Sequence, residues 1–480
     1  MIRKFISRLF TPNKNEDGPQ RRGSRRDLPR AQHQIDANRI SPNARNTVQT
    51  LQQAGFEAYI VGGAVRDLLL GLKPKDFDVA TNATPEQVKP LFKRAFIIGR
   101  RFRIVHVVYG RDIIEVSTYR ALHDAQAAES VDGNERTSRR ALADKTLAVD
   151  SSGRVLRDNV WGTLDDDAER RDFTVNALYY DPIRDVVVDY HQGMKDLKER
   201  RLRMIGDPAA RYREDPVRML RIARFAAKLG FDIDPATLAP IASSADLLAN
   251  VPAARLFDET IKLLQTGHAV ASLQQLRRLG LHHGLLPLLD PVLEKPEGER
   301  FIMNALQDTD ARIGQGKTAS PSFLFACLLW HDVEQRWNAL RTEGTAPLMA
   351  LDQAADEVLA AQAERLAIQR RIATDMREIW SLQSRFERRT PRYANSLIAH
   401  PRFRAAYDFL SLRARSGQAE PELASWWEAF QFADAEGRAE MLATAPQPSA
   451  ASKPKRRRRR KKPADGSNTD DAPAQASDSE

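Results

Sequence analysis

The sequence predicts an α+β protein in which a small mixed sheet precedes an all-α region and a disordered basic tail. Five short runs rich in β-branched residues, which are typical of strands, occur before residue 120. From about residue 208 onward, most segments have the apolar periodicity of helices. With 480 residues, 42% hydrophobic and 29% charged, the chain is long enough for two or three packed units.

The mixed-sheet head is predicted to span residues 39–190, after a disordered basic segment over residues 1–38. Most of that segment is polar, rich in Arg and without periodicity. Only Gly110-Arg111 separates the last two predicted strands, which therefore form a hairpin. The polar residues 121–157 predict a mobile insertion. The predicted strands are FEAYIV (56–61), FDVA (77–80), AFIIG (95–99), RIVHVVY (103–109) and DIIEVST (112–118).

The helical remainder is predicted to form a neck over residues 191–267 and a body over residues 268–443. The neck contains an amphipathic helix in VPAARLFDETIKLLQTG (251–267), which Gly267 ends. In the body, aromatic residues such as Trp330, Trp337 and Trp380 are predicted to be core.

The single cysteine, Cys327, lies in the apolar run FLFACLLW. One cysteine excludes an intramolecular disulfide framework and favours a reducing compartment, for which we predict the cytoplasm. No apolar run approaches the ~18 residues that a membrane span needs, so no transmembrane segment is expected.

The net charge of +10 is concentrated in KPKRRRRRKK, residues 453–462. Self-repulsion and the lack of apolar side chains predict that the tail, residues 444–480, is disordered. Such a tail binds polyphosphates nonspecifically and in a salt-dependent manner. The alternative is a tail that only confers solubility.

Two acids, Asp76 and Asp78, stand at alternate positions in KDFDVA. On a strand, alternate side chains project from one face, so these carboxylates repel unless a cation lies between them. Hard oxygen ligands favour Mg²⁺ or Mn²⁺. Glu115, on the predicted hairpin, is a further candidate ligand. The alternative is that Asp76 and Asp78 are solvated acids at a strand end.

A glycine pair, Gly62-Gly63, follows the predicted strand that ends at Val61 and precedes a predicted helix. Bare backbone N–H groups at such a helix start can accept a nucleotide's phosphates, and Arg66 adds positive charge one turn later. The segment lacks the GxxxxGK[ST] pattern of a Walker A loop.

Four motifs together resemble the class II nucleotidyltransferases that extend RNA 3′ ends: VGGAVRDLLLG, KDFDVATNATPEQV, RRDFTVNALYY and YREDPVRMLRIARFAAKLGF. The resemblance covers about residues 40–265. That group contains poly(A) polymerases and enzymes that add CCA to transfer RNA. GRRFRIVHV (99–107) resembles the segment that marks the bacterial poly(A) polymerases, and the helical body and basic tail are also similar to theirs.

The resemblance implies a nucleotidyltransferase head that adds AMP from ATP to RNA 3′ ends, with release of pyrophosphate. It makes Asp76 and Asp78 the metal ligands of a two-metal displacement, with Mg²⁺ or Mn²⁺ as cofactor. Asp172 matches a further essential acid, and Arg171 and Asn176 match positions near the ribose and triphosphate. Without the motif, Arg171 would be read as part of a solvated helix face.

The resemblance also implies that the neck carries a base-recognition helix. Asp215, Arg218 and Arg221 are spaced by three, and the first two match the family's base-reading pair. Ion pairing along the helix is the alternative, and both can hold. The buried face of this helix is predicted to comprise Met219, Ile222, Ala226 and Leu229.

The partners implied are RNA 3′ ends, bound by the body and tail, and ATP, with RNA-degradation factors or an RNA chaperone as further candidates. We expect a monomer that acts in mRNA polyadenylation and decay. The competing hypotheses are a CCA-adding transfer RNA nucleotidyltransferase and a catalytically silent RNA scaffold. His331-Asp332 is similar to the HD metal doublet of some CCA enzymes, but without further spaced ligands we predict a structural or surface role.

Overall fold

The structure is a computed structural model that describes residues 24–99, 103–121, 129–130, 147–149, 155–158, 160–285, 293, 295–363 and 366–445. The first 23 residues and the tail from residue 446 onward lie outside the described residues, as do residues 100–102 of the GRRFRIVHV motif. The disorder predicted for both ends therefore stays a prediction where they are not described.

The head is built on an eight-stranded mixed sheet with the strand order β1-β11-β10-β2-β3-β6-β5-β4. Its strands are β1 (Arg26–Pro29), β2 (Ala58–Val61), β3 (Asp78–Thr81), β4 (Ala95–Ile98), β5 (Ile104–Tyr109), β6 (Asp112–Thr118), β10 (Leu178–Asp181) and β11 (Val186–Asp189). All five predicted strands are present, and the β5–β6 hairpin is confirmed. The head helices are α1 (Arg30–His33), α2 (Pro42–Gln53), α3 (Gly63–Leu69), α4 (Pro85–Val88) and α5 (Leu164–Arg170).

The prediction that residues 1–38 are disordered is wrong for the described residues 24–38. Arg26–Pro29 forms β1, which pairs antiparallel with β11 at the sheet edge. His33 is buried, and its Nδ1 accepts a hydrogen bond from the Ile35 N–H at 3.1 Å. Backbone pairing at an edge needs no alternation of apolar side chains, so the sequence pattern does not reveal this strand.

The predicted mobile insertion contains three short strands in the parts that the structure describes. They are β7 (Glu129–Ser130), β8 (Leu147–Val149) and β9 (Val155–Asp158), and they form a separate sheet in the order β7-β8-β9. The mobility of the insertion stays a prediction.

The sheet register brings the end of β2, the start of β3 and the middle of β6 side by side. In the antiparallel pair β2–β3, Val61 lies opposite Asp78, and in the parallel pair β3–β6, Asp78 lies opposite Glu115. One face packs on α2 and α3 through residues such as Ile60 and Val79, which form part of the main core. The other face has Tyr59, Ala80 and Tyr179 in a smaller cluster, and because of strand alternation it is the face of Asp78 and Glu115.

The neck is mostly helical, but it also contains a two-stranded parallel pair, β12 (Arg201–Leu202) and β13 (Asp232–Ile233), which was not predicted. Its helices are α6 (Gly193–Lys198), α7 (Pro208–Glu214), α8 (Val217–Leu229), α9 (Pro235–Leu238), α10 (Ile241–Ser244) and α11 (Ala253–Leu264). Gly230 ends α8 in a left-handed conformation at φ 61°. The predicted apolar stripe Met219, Ile222, Ala226 and Leu229 is buried.

The body is helical throughout the part of the chain that the structure describes. Its helices are α12 (Ala269–Arg278), α13 (His282–Leu285), α14 (Pro296–Gly314), α15 (Pro321–Leu328), α16 (Trp330–Thr342), α17 (Pro347–Ala363), α18 (Arg370–Phe386), α19 (Pro391–Ile398), α20 (Phe403–Arg415), α21 (Pro421–Phe432) and α22 (Ala435–Thr444). Trp330, Trp337 and Trp380 are buried, which confirms that they are core, and Cys327 is a buried free thiol. None of the described helices is both long and apolar enough to cross a bilayer. The α+β fold with a mixed-sheet head and a helical remainder is thus confirmed.

Candidate active site

Asp76 and Asp78 lie at the amino end of β3, next to the end of β2 and the middle of β6. Both are exposed, whereas Phe77 between them is buried, as the predicted alternation requires. The strand itself begins at Asp78, so Asp76 is in the preceding loop. After the strand, Thr84 and Gln87 form the predicted capping box of α4, which fixes the far end of β3.

Glu115 stands beside Asp78 on the neighbouring strand, and its Oε1 is 3.3 Å from His106 Nε2 on β5. Although Asp78 keeps contact with solvent, the protein packed around its carboxyl desolvates it, and this desolvation, then the charges of Glu115 and Asp76, raise its pKa to about 6, with the Arg171 charge acting in the opposite direction. Within the described residues, no three His, Cys, Asp or Glu side chains are placed to hold a metal ion. The acids are therefore crowded enough to repel but do not form a closed cage.

The glycine pair brings the backbone close to Arg171. Gly62 has φ 76°, which disfavours other residues, and a Cβ on it would lie 3.5 Å from Arg171 Nη1. Arg66, which the sequence analysis assigned to phosphate, is only 2% exposed. It pairs with Asp67 at 2.6 Å and donates to Asn176 Oδ1 at 2.7 Å. The prediction that Arg66 contacts phosphate is therefore wrong, because the buried Arg66 side chain positions Asn176 and does not face the solvent.

Arg171 is held by two partners, Asp167 and Tyr179. Its guanidinium donates to Asp167 at 2.9 Å and to the Tyr179 hydroxyl at 2.9 Å, and that hydroxyl donates to Asp167 at 2.8 Å. The alternative of a solvated helix face is thus wrong for Arg171, which lies half-buried against the Tyr179 ring.

Asp172 is an acceptor whose two oxygens are both engaged. Oδ1 accepts from the Phe173 N–H at 2.8 Å and from Asn176 Nδ2 at 3.1 Å. Oδ2 accepts from Arg221 Nε at 2.9 Å and Nη2 at 2.5 Å. Burial alone would raise the pKa of Asp172, but the Arg221 charge and these hydrogen bonds outweigh it and hold the pKa well below its usual range. Asp172 is not grouped with Asp76 and Asp78 as a third metal ligand in the described structure.

Arg211, on α7, ties the neck to the head. Its Nη2 donates to the Arg170 and Arg171 carbonyls at 2.5 and 2.6 Å, and its Nη1 pairs with Glu214 at 2.9 Å. Burial and the neighbouring guanidinium of Arg218 lower the pKa of Arg211 to about 10. Burial and surrounding arginines likewise lower the pKa of Arg170 to about 9. Several arginine side chains therefore lie close together where the head meets the neck.

The base-recognition residues are arranged differently from the prediction. Asp215 does not lie on the helix with Arg218 and Arg221; it occupies the extended break between α7 and α8, because Pro216 starts the new helix. Its Oδ2 pairs with Arg255 of α11 at 2.9 Å. Arg218 pairs with Glu214 at 2.8 Å and donates to the Arg211 carbonyl. The proposed ion pairing of Asp215 along the helix is therefore wrong.

A cavity of about 360 Å³ joins these residues at the head–neck junction. Asp215 Oδ1 is buried there without a hydrogen-bond partner, in the part of the chain that the structure describes. Burial alone would raise the pKa of Asp215, but Arg255 outweighs it and lowers the pKa. The cavity is lined by Arg171, Asp172, Asp215, Val217, Arg218, Arg221, Arg255, Asp258, Glu259 and Lys262.

Sequence reasoning missed the contribution of α11 to this cavity. Arg255 holds Asp215, and Glu259 pairs with Arg224 of α8 at 2.7 Å. The signal was present: Arg255, Glu259 and Lys262 recur at helical spacing and form one polar face of a helix predicted as amphipathic. No pattern in the sequence distinguishes Asp167 and Tyr179, which hold Arg171, from their neighbours.

His331 and Asp332 lie at the start of α16, apart from the head site. His331 Nε2 is 3.2 Å from Lys295 Nζ. Burial raises the pKa of Asp332 to about 6, with Lys295 opposing the shift. Within the described residues the doublet has no third acid or histidine with which to hold a metal.

Three family models match the chain in order. Residues 58–203 match the poly A polymerase head domain, and residues 230–293 match the "Probable RNA and SrmB- binding site of polymerase A". Residues 343–462 match the polymerase A arginine-rich C-terminus. The matches cover the head, part of the neck and body, and the basic tail.

Individual proteins give the same result. The chain is 46% identical over 421 residues to Poly(A) polymerase I of Haemophilus influenzae, covering 86% of this chain and 89% of that protein. A CCA-adding enzyme of Levilactobacillus brevis is 38% identical over 226 residues, 47% of this chain and 50% of that enzyme. The crystal structure of the Bacillus stearothermophilus CCA-adding enzyme with CTP has a TM-score of 0.53 at 25% identity, covering 84% of this chain and 83% of that one. The chain belongs to the poly(A) polymerase family.

Proposed function

We propose that this polynucleotide adenylyltransferase adds AMP from ATP to RNA 3′ ends without a template, and that Asp76 and Asp78 hold the divalent cations of the reaction. The identity to a poly(A) polymerase extends over most of both chains, whereas that to a CCA-adding enzyme covers about half. Poly(A) addition is therefore the better supported of the two activities.

The acid pair fits a hard divalent cation. Asp76 and Asp78 are exposed beside the buried Phe77, and desolvation together with the charge of Glu115 raises the pKa of Asp78. A bound cation relieves that repulsion. Mg²⁺ commonly uses one or two carboxylates together with substrate phosphates and water, so no closed cage is required. When bound, Mg²⁺ or Mn²⁺ neutralises the phosphates and favours ionisation of the attacking hydroxyl.

The residues around the pair orient the nucleotide. The backbone at Gly62 leaves room for the triphosphate near Arg171, whose position is fixed by Asp167 and Tyr179. Asp172 acts as a positioning residue: it holds Arg221 at the cavity wall and shares Asn176 with Arg66. Positioning and charge complementarity supply most of the catalysis in phosphoryl transfer.

The cavity at the junction is our candidate base site. The unpartnered Asp215 Oδ1 can accept from an exocyclic amino group, and Arg218 lies beside it as a donor. Adenine, cytosine and guanine carry such an amino group, whereas uracil does not. Asp215 therefore selects against uracil, and the choice of adenine over cytosine and guanine depends on the shape of the cavity.

The body and tail are proposed to hold RNA, in keeping with the family models that match there. We also propose, on the sequence analysis alone, a monomer in the cytoplasm that acts in mRNA polyadenylation and decay, with RNA-degradation factors or an RNA chaperone as partners.

The observation that carries the assignment is the identity to a poly(A) polymerase over most of both chains, against about half of each for the CCA-adding enzyme. We would incubate the full chain with Mg²⁺ and an RNA of arbitrary 3′ end, and supply each nucleoside triphosphate alone and all four together. Long homopolymeric A tails are expected. Products that stop after CCA would instead support the transfer RNA enzyme.

A further inference from the structure

A second and larger cavity includes Asp76 in its lining. It measures about 1070 Å³ and is formed by the turn before α2, the loop before β3 and the β5–β6 turn. Its described lining shares no residue with the nucleotide cavity. We call it the lysine groove and define it by Arg39, Lys73, Lys75, Asp76, Arg111 and Ile113.

The described lining of the lysine groove carries four basic side chains and two acids, Asp76 and Asp112, so its rim has a net positive charge. Lys73, Lys75 and Arg111 are exposed, and within the described residues they form no ion pair or side-chain hydrogen bond. Arg39 is engaged with the Gly71 carbonyl. The amino end of the twelve-residue helix α2 also opens onto the groove at Pro42 and adds a partial positive charge.

The floor of the groove is apolar. Ile40, Phe77 and Ile114 are buried beneath it, and Ile113 is 50% exposed. A charged rim over an apolar floor suits a ligand with phosphates along one side and bases or riboses along the other. Small-molecule pockets are roughly 300–1,000 Å³, so the groove is large for a single nucleotide.

We propose that the lysine groove binds the RNA backbone just upstream of the 3′-terminal nucleotide. The proposal rests on the proposed function, because it is Asp76 that joins the groove to the reaction site. ATP then occupies the junction cavity while the RNA end reaches the reaction site along the groove that Asp76 lines. The RNA crosses the starts of β3 and β6 and leaves the nucleotide cavity open for the next ATP.

The test measures binding of a labelled short oligoadenylate to the full chain without ATP or divalent cation, across a salt series. The triple variant Lys73→Ala/Lys75→Ala/Arg111→Ala removes three phosphate contacts. Because each contact contributes roughly 0.7 to the slope of log affinity against log salt, the slope should become shallower by about 2. Lys73→Arg/Lys75→Arg should retain the wild-type slope. The matched control is Lys198→Ala, since Lys198 is an exposed cation on α6 outside both cavities and should leave binding unchanged.

Steady-state kinetics show whether the lysine groove binds RNA or the triphosphate of ATP. The triple variant should raise the KM for RNA and leave the KM for ATP unchanged. A raised KM for ATP alone would assign the groove to the triphosphate and overturn the proposal, as would a salt slope equal to that of wild type. Because RNA binding is measured without turnover, the result can disprove RNA binding by the lysine groove without disproving AMP addition. Likewise, a failure of AMP addition would not by itself disprove RNA binding by the groove.

Discussion

The Asp172–Arg221 pair should couple strongly in a double-mutant cycle made from Asp172→Asn, Arg221→Met and the combined variant. The Asp172 side chain is 11% exposed and that of Arg221 34% exposed, and two nitrogens of one guanidinium bind one oxygen. Removing one partner of a buried pair costs about 3–5 kcal/mol. Because Arg221 is partly exposed and Asn176 still donates to Asp172, we expect about 3 kcal/mol for Arg221→Met.

The combined variant should recover much of that loss, because it leaves no buried charge without a partner. We therefore expect a coupling energy of about 2 kcal/mol, measured by urea unfolding at neutral pH. Methionine retains an apolar stem of similar length, so packing against Phe225 is largely preserved. A coupling energy below about 0.5 kcal/mol would refute the view that Arg221 is the main partner of Asp172.

The pH dependence has a defined sign. The folded-state pKa of Asp172 lies below its ordinary value of 3.8, so the pair's contribution is fully present above that value and is lost as pH falls toward the folded pKa. Coupling should thus be constant from neutral pH down to about pH 5. A coupling energy that declined between pH 8 and pH 6 would implicate another titrating group.

Three further predictions concern selection, backbone and tail. Arg218→Ala should weaken discrimination between ATP and CTP or lower ATP affinity in steady-state kinetics, and unchanged kinetics with both would remove Arg218 from base reading. Gly62→Ala and Gly55→Ala should each cost about 1–2 kcal/mol because both glycines have positive φ, but only Gly62→Ala should slow AMP addition, since a Cβ at Gly55 meets open space. Truncation after Ala445 should make the slope of log RNA affinity against log salt shallower by several units, since each phosphate contact contributes roughly 0.7, and should shorten the A tails added. Addition of a single AMP at saturating RNA should persist. Slopes and product lengths identical to those of the full chain would assign the basic tail to solubility or protein docking.

The sequence predicted the parts of the fold that have periodic signals. The five strands from Ala58 to Thr118 and the buried stripe of α8 follow from alternation and helical spacing. The edge strand Arg26–Pro29 was missed because its stability comes from backbone pairing with β11 and not from an apolar pattern.

For the candidate site, the alternation in KDFDVA predicted two exposed acids around a buried Phe77, which the structure has, although only Asp78 lies on β3 and Asp76 is in the preceding loop. The partners of Asp215 and Arg66 could not be predicted, because they depend on how α11 and the turn at Asn176 pack against distant segments. Helical spacing misplaced Asp215 because it ignored Pro216, which starts a new helix.

The most direct test of the acid-pair assignment is single-turnover AMP addition by the full chain and by Asp76→Asn and Asp78→Asn. RNA and ATP are saturating, Mg²⁺ is varied, and circular dichroism verifies the fold. Both variants should fold, because removing one charge relieves repulsion with the others, and both should lose AMP addition at every Mg²⁺ concentration. Addition near the wild-type rate by either variant would contradict the assignment of this acid pair to the chemistry.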